Sequence, residues 1–130
     1  MKDKIDVLIK QLNWDNPAEI QEEAIKKLTK IDIPDLTALL QPVFGKNYWE
    51  NSAKVLFKIG YPKIKNIIPG LFEWLQDMNW PGALIVREIL LNLPKDALVN
   101  NYEDAIYKAT SESDEEWFLN LKLFWDDYNN

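Results

Sequence analysis

The chain has 130 residues, 47% hydrophobic and 28% charged, with a net charge of −6; that balance suits one folded domain over residues 1–130 and is the opposite of a disordered chain. It contains no cysteine and no histidine, which excludes disulfide frameworks, thiol nucleophiles, histidine-assisted catalysis and most zinc sites. Charge is uneven: residues 1–65 carry eleven lysines against nine acids, and residues 66–130 carry four basic residues against twelve acids, net +2 and −8.

The first apolar run, Ile5, Leu8, Ile9 and Leu12, has helical spacing and breaks at Asn13-Trp14-Asp15-Asn16-Pro17. Asn16 is predicted to cap the next helix, with Pro17 in its first turn and Glu19 as the capping-box carboxylate; Ile20, Ala24, Ile25 and Leu28 form its stripe. A second unit is predicted to open with a helix from Pro34 through Leu36, Leu39, Leu40 and Val43 and to turn at Gly45. Asn47 and Glu50 repeat the cap signal for a helix carrying Trp49, Ala53, Val55, Leu56 and Ile59, which Gly60 is placed to end.

From Ile64 the third unit puts Ile67, Ile68, Leu71, Phe72, Trp74, Leu75 and Met78 on one helical face, with Lys65, Asn66, Glu73, Gln76 and Asp77 opposite. Its second helix, Ala83 to Leu93, is apolar almost all round, as a segment covered on several sides should be. The fourth unit starts at Pro94 and passes Leu98, Tyr102, Ile106 and Tyr107. Ser113 with Glu116 then reads as a capping box ahead of Trp117, Phe118, Leu121, Phe124, Trp125 and Tyr128. The expectation is all-α: eight helices in four antiparallel hairpins, stacked as a right-handed α-solenoid. Alternating β-branched runs are absent.

Trp14, Trp49, Trp80 and Trp117 return at steps of 35, 31 and 37 residues, each near a helix start, which marks an internal repeat. Packing between hairpins is the expected role of all four, because a binding site rarely needs the same residue in every unit. Trp74 and Trp125 continue apolar stripes and are expected in the core.

Paired helices of this kind, with the fragments Asn13-Trp14-Asp15-Asn16-Pro17-Ala18 and Leu75-Gln76-Asp77-Met78-Asn79-Trp80-Pro81-Gly82-Ala83, resemble HEAT-like and armadillo-like repeats. They also resemble a bacterial family of short HEAT-like proteins known only as a domain of unknown function. The resemblance implies a fold and no activity.

No motif supplies chemistry. The four glycines are too dispersed for a phosphate loop, and the acidic pairs match no calcium-loop spacing. The chain is therefore expected to be a non-catalytic protein-binding module with no cofactor and no metal. It would act as an adaptor or regulator, with an immunity protein against a basic toxin as the narrower alternative. Its expected partner is a protein or peptide, a basic one being the best match, met by concave inner helices and the acidic second half; Glu112, Asp114 and Glu115 are the candidate contacts. Nucleic acid is disfavoured by that charge. A DNA-base-processing or small-ligand-binding HEAT-like enzyme is the alternative that fold analogy suggests. The stretch Met1 to Asp6 lacks the apolar core of a signal peptide and no segment has the length to cross a bilayer, so a cytoplasmic location without membrane contact is expected. Arg87, the sole arginine, falls among Ala83, Leu90 and Leu91 and needs an anionic partner. That partner is either an internal acid such as Asp77, Glu50 or Glu88, or a ligand carboxylate held in its bidentate fork.

Overall fold

A computed structural model describes residues 2–130, so Met1 of the N-terminal stretch lies outside it. The described residues form seven α-helices and no strand: α1 (Lys2–Lys10), α2 (Ala18–Lys30), α3 (Trp49–Ile59), α4 (Ile68–Glu73), α5 (Ala83–Leu91), α6 (Lys95–Ser111) and α7 (Glu115–Tyr128). Helix α2 packs on α1 and α3, α3 on α5, and α5 on α7. Helix α4 packs on α5 and α6, and α6 on α7. One continuous apolar core runs from Ile5 to Phe124.

The count is one α-helix short of the eight expected, because the Pro34–Val43 stretch does not form one. It makes only a 3-10 turn, Leu36–Leu39, opened by Asp35, whose carboxylate accepts hydrogen bonds from the Thr37 amide at 3.0 Å and hydroxyl at 2.6 Å. These bonds hold the Asp35 carboxyl below its ordinary range, the hydroxyl contributing most. Pro42 lacks the amide that would carry a helix through the segment, and Gln41 before it stands at φ 44°, outside the helical region. Leu39 reaches the core, but Val43 is left almost wholly exposed. The helix predicted from Ile64 is also interrupted. Short 3-10 turns, Lys65–Ile67 and Trp74–Gln76, flank the six-residue α4, yet Ile67, Ile68, Leu71, Phe72, Trp74 and Leu75 are all buried as their spacing requires.

Three predicted caps are corrected. The Asn16 amide donates backwards to the carbonyls of Lys10 and Gln11, at 3.4 and 3.2 Å, and α2 starts after Pro17 with no side-chain cap. Helix α3 likewise has no side-chain cap, and Glu50 instead accepts the Gly82 amide at 2.7 Å, tying α3 to the start of α5. At α7 the cap is Asp114, one residue after Ser113; its carboxylate accepts the Trp117 amide at 3.0 Å. Gly60 does end α3, with φ 69° and its amide on the Leu56 carbonyl.

Side chains near helix starts satisfy carbonyls freed where earlier segments end, which buried backbone requires. Asn51 donates to the Leu12 carbonyl at 2.7 Å and to Gln21 at 2.9 Å, and the Ser52 hydroxyl donates to the Leu39 carbonyl. In the second half Trp117 donates to the Phe72 carbonyl at 3.0 Å and Asn120 to the Leu75 carbonyl at 2.8 Å.

Trp14, Trp49, Trp80 and Trp117 share a position near helix starts, and the tryptophans differ in role. Trp117 and Trp74 are fully buried. Trp49 and Trp80 are half-buried and meet edge to face, with ring centroids 5.6 Å apart; Trp49 also meets Trp74 at 6.2 Å. Trp14 is 48% exposed and does not take the packing role expected of it. Trp80 leans on Trp49 at the start of α3, whereas Trp14 lies in the connection between α1 and α2. Trp125 is half-buried rather than in the core, stacked on Tyr102 at 4.2 Å.

Candidate functional site

Consecutive packing of α2, α3 and α5 leaves an open groove of about 1010 Å³ lined by all three helices. Residues three and four apart share a helical face, and each helix turns one such set to the groove. Helix α2 presents Glu22, Ile25, Lys26, Thr29 and Lys30; α3 presents Lys54, Phe57 and Lys58; α5 presents Leu84, Ile85 and Glu88. Phe57 is 48% and Leu84 72% exposed, so neither serves the core. Four lysines against two glutamates give the groove a positive rim in a negatively charged protein.

The sequence reading missed this site. Helix α5 was expected to be covered on several sides, yet Leu84 opens to solvent. Phe57 carried a usable signal: it stands outside the stripe formed by Ala53, Val55 and Leu56, where α3 buries its face. Only tertiary packing reveals that Lys26 and Lys54, distant in sequence, line one groove.

The residues singled out in the sequence fall elsewhere. Glu112 and Glu115 are exposed at the α6–α7 turn, and Asp114 beside them spends its carboxylate on the α7 cap. Arg87 projects from α5 to Asp127 near the end of α7, in an ion pair with side chains 23% and 58% exposed, and its guanidinium lies 6.0 Å from the Phe124 ring centre. The acids named as partners are otherwise engaged or exposed: Glu50 holds Gly82, Asp77 accepts the Asn79 amide, and Glu88 lines the groove. Along α7, Asp127 and Glu115 stand roughly 18 Å apart at 1.5 Å per residue, so Arg87 and the acidic turn do not form one site.

A smaller groove of about 440 Å³ lies between α6 and α7, lined by Tyr102, Tyr107, Phe118 and Lys122 among others. Burial pushes the Tyr102 phenol up to about 12, with a further contribution from Asp126. Among the described residues no three potential metal-ligating side chains come together, and no helix is long and apolar enough to cross a membrane.

Fold and groove together define an all-helical protein with an open, positively rimmed cleft. The family described as "Domain of unknown function (DUF5071)" matches residues 48–129, and the chain belongs to that family. The matched region contains α3 to α7 and thus two of the three groove helices. No curated protein and no solved structure matches the chain.

Proposed function

We propose that the chain is a short right-handed α-solenoid of HEAT-like hairpins that binds a protein partner in the groove across α2, α3 and α5 and performs no catalysis itself. The serial packing of α2, α3, α5 and α7 supports the solenoid reading, since stacked repeats bury a shared core that none buries alone. The observation that carries the binding reading is the exposure of Phe57 and Leu84 on a concave surface: large apolar side chains gathered in a groove stabilise complexes when covered.

A photo-crosslinking amino acid placed at Phe57, Leu84, Tyr107 or Glu115 in the native host tests this. Positions 57 and 84 should give the same discrete crosslinked protein, and position 107 none. Crosslinks from Glu115 and none from 57 or 84 would move the docking site to the acidic α6–α7 turn and favour a basic partner, such as a toxin.

A further inference from the structure

Taking that groove as the binding site, we infer that its occupant is an acidic amphipathic helix of the partner protein. Lys26 and Lys30 stand one turn apart on α2, and Lys54 and Lys58 one turn apart on α3, so two cationic rows line the same cleft. None of the four carries an ion pair among the described residues, whose ion pairs use Lys27, Arg87 and Lys108. Like charges at this spacing repel, and carboxylates from a ligand would relieve that repulsion. Phe57 and Leu84 supply the apolar contact, and the lysine stems extend that contact while their heads stay at the rim.

The form of the ligand follows from the walls. No strand edge exists among the described residues, which leaves no template for an added strand, whereas a groove between helices receives an apolar helix face. Three neighbouring helices at roughly 8–10 Å spacing give a cleft on the order of 20 Å long, which a ligand helix of about 13 residues spans. Phe57 is the sole aromatic side chain in the lining, so successive bases would find no stacking platform. The sequence expectation of a basic partner follows net charge; the groove carries the opposite local sign.

A phage-displayed library of random peptides of about 14 residues, long enough for the cleft, tests the inference when panned at low ionic strength. The expected enrichment is of peptides in which Asp and Glu outnumber Lys and Arg, with Leu, Ile or Phe at helical i, i+3, i+4 and i+7 spacing. The tightest of them, made with a fluorophore, should lose affinity at least roughly tenfold toward K26E/K58E and toward L84E, and should also weaken as salt rises. These positions are exposed or at the rim, so unchanged thermal unfolding of the variants serves as the control. Enrichment of basic or charge-neutral peptides, no enrichment, or full binding to K26E/K58E overturns the inference. So does lysine-dependent binding of phosphatidylserine vesicles or a single-stranded oligonucleotide without peptide enrichment. A crosslinked partner from position 57 whose contacting segment is basic would leave the groove reading standing and overturn only the acidic helix; no crosslink from 57 or 84 removes both.

Discussion

The ring of Tyr102 is stacked on Trp125 and flanked by Phe72 and Phe124, and its buried hydroxyl has no hydrogen-bond partner. Burial disfavours the phenolate, and Asp126 adds repulsion, which raises the pKa to about 12. The folded state therefore holds this proton more tightly than the unfolded chain. The associated stability is fully present below about pH 10, the unfolded value, and is lost as pH rises toward 12. Tyr102→Phe should flatten the fall of Tm across that window relative to the parent protein. At pH 7 the substitution should change stability by no more than about 1 kcal/mol, and in the favourable direction, because it deletes an unpaired hydroxyl while keeping the ring. Unfolding curves at pH 7 and pH 11 measure both effects.

Arg87 belongs to the same scale. Its pairing with a half-exposed Asp127 leaves the carboxylate solvated when the arginine is removed, so Arg87→Met should cost less than about 1 kcal/mol. Asp127→Asn should add little further in that background, and a loss several times larger in chemical denaturation would show a tighter pair. That the sequence's only arginine, among apolar neighbours, required an acid was legible. The identity of that acid was not, because Asp127 lies 40 residues along the chain and reaches Arg87 only once α5 and α7 pack.

At the scale of elements, the α6–α7 junction shows how a local signal can point one residue away from its object. Ser-x-x-Glu is the capping-box pattern, but Ser113 adopts φ 55° in the connection, and the donors of the first turn are left to Asp114. Asp114→Ala should therefore cost about 1 kcal/mol, whereas Glu115→Gln should lie within about 0.5 kcal/mol of the parent protein. Thermal unfolding of the two variants side by side checks the contrast, and equal losses would remove the cap assignment. Helices α2 and α7 were legible from periodicity, and α6 in place though not in face: Tyr107 is 75% exposed, while Ala105 and Ala109 are buried. The Pro34–Gly45 stretch was not, since its leucines have helical spacing but its two prolines and its glycine favour turns. Leu39 still reaches the core there from a single 3-10 turn.

For the whole molecule, the groove depends on how closely α3 and α5 approach, and Gly82 controls that approach. It has φ +84°, and an added Cβ would stand 2.9 Å from both the Ala53 methyl and the Trp49 carbonyl oxygen. Gly82→Ala should destabilise by about 2 kcal/mol or more, opposite in sign to the gain this substitution gives where the backbone is compatible. Chemical denaturation reads the sign, and a more stable variant would contradict the close approach. The all-helical class was legible from the spacing of the apolar residues. The groove's charge was not, because summing charge by halves of the sequence merges the cleft lysines of α2 and α3 with acids elsewhere in the same half.

The edge-to-face trio of Trp49, Trp74 and Trp80 gives the molecule an optical reporter without any label. Indole rings 5.6 and 6.2 Å apart exchange excitation, and their fixed mutual angles produce a near-ultraviolet circular dichroism signal that vanishes when rigid packing is lost. Trp14, open to solvent, is the ring a soluble quencher reaches first. Quenching and dichroism followed together on denaturation would therefore distinguish fraying of α1 and α2 from separation of α3 and α5, the event that would dismantle the cleft.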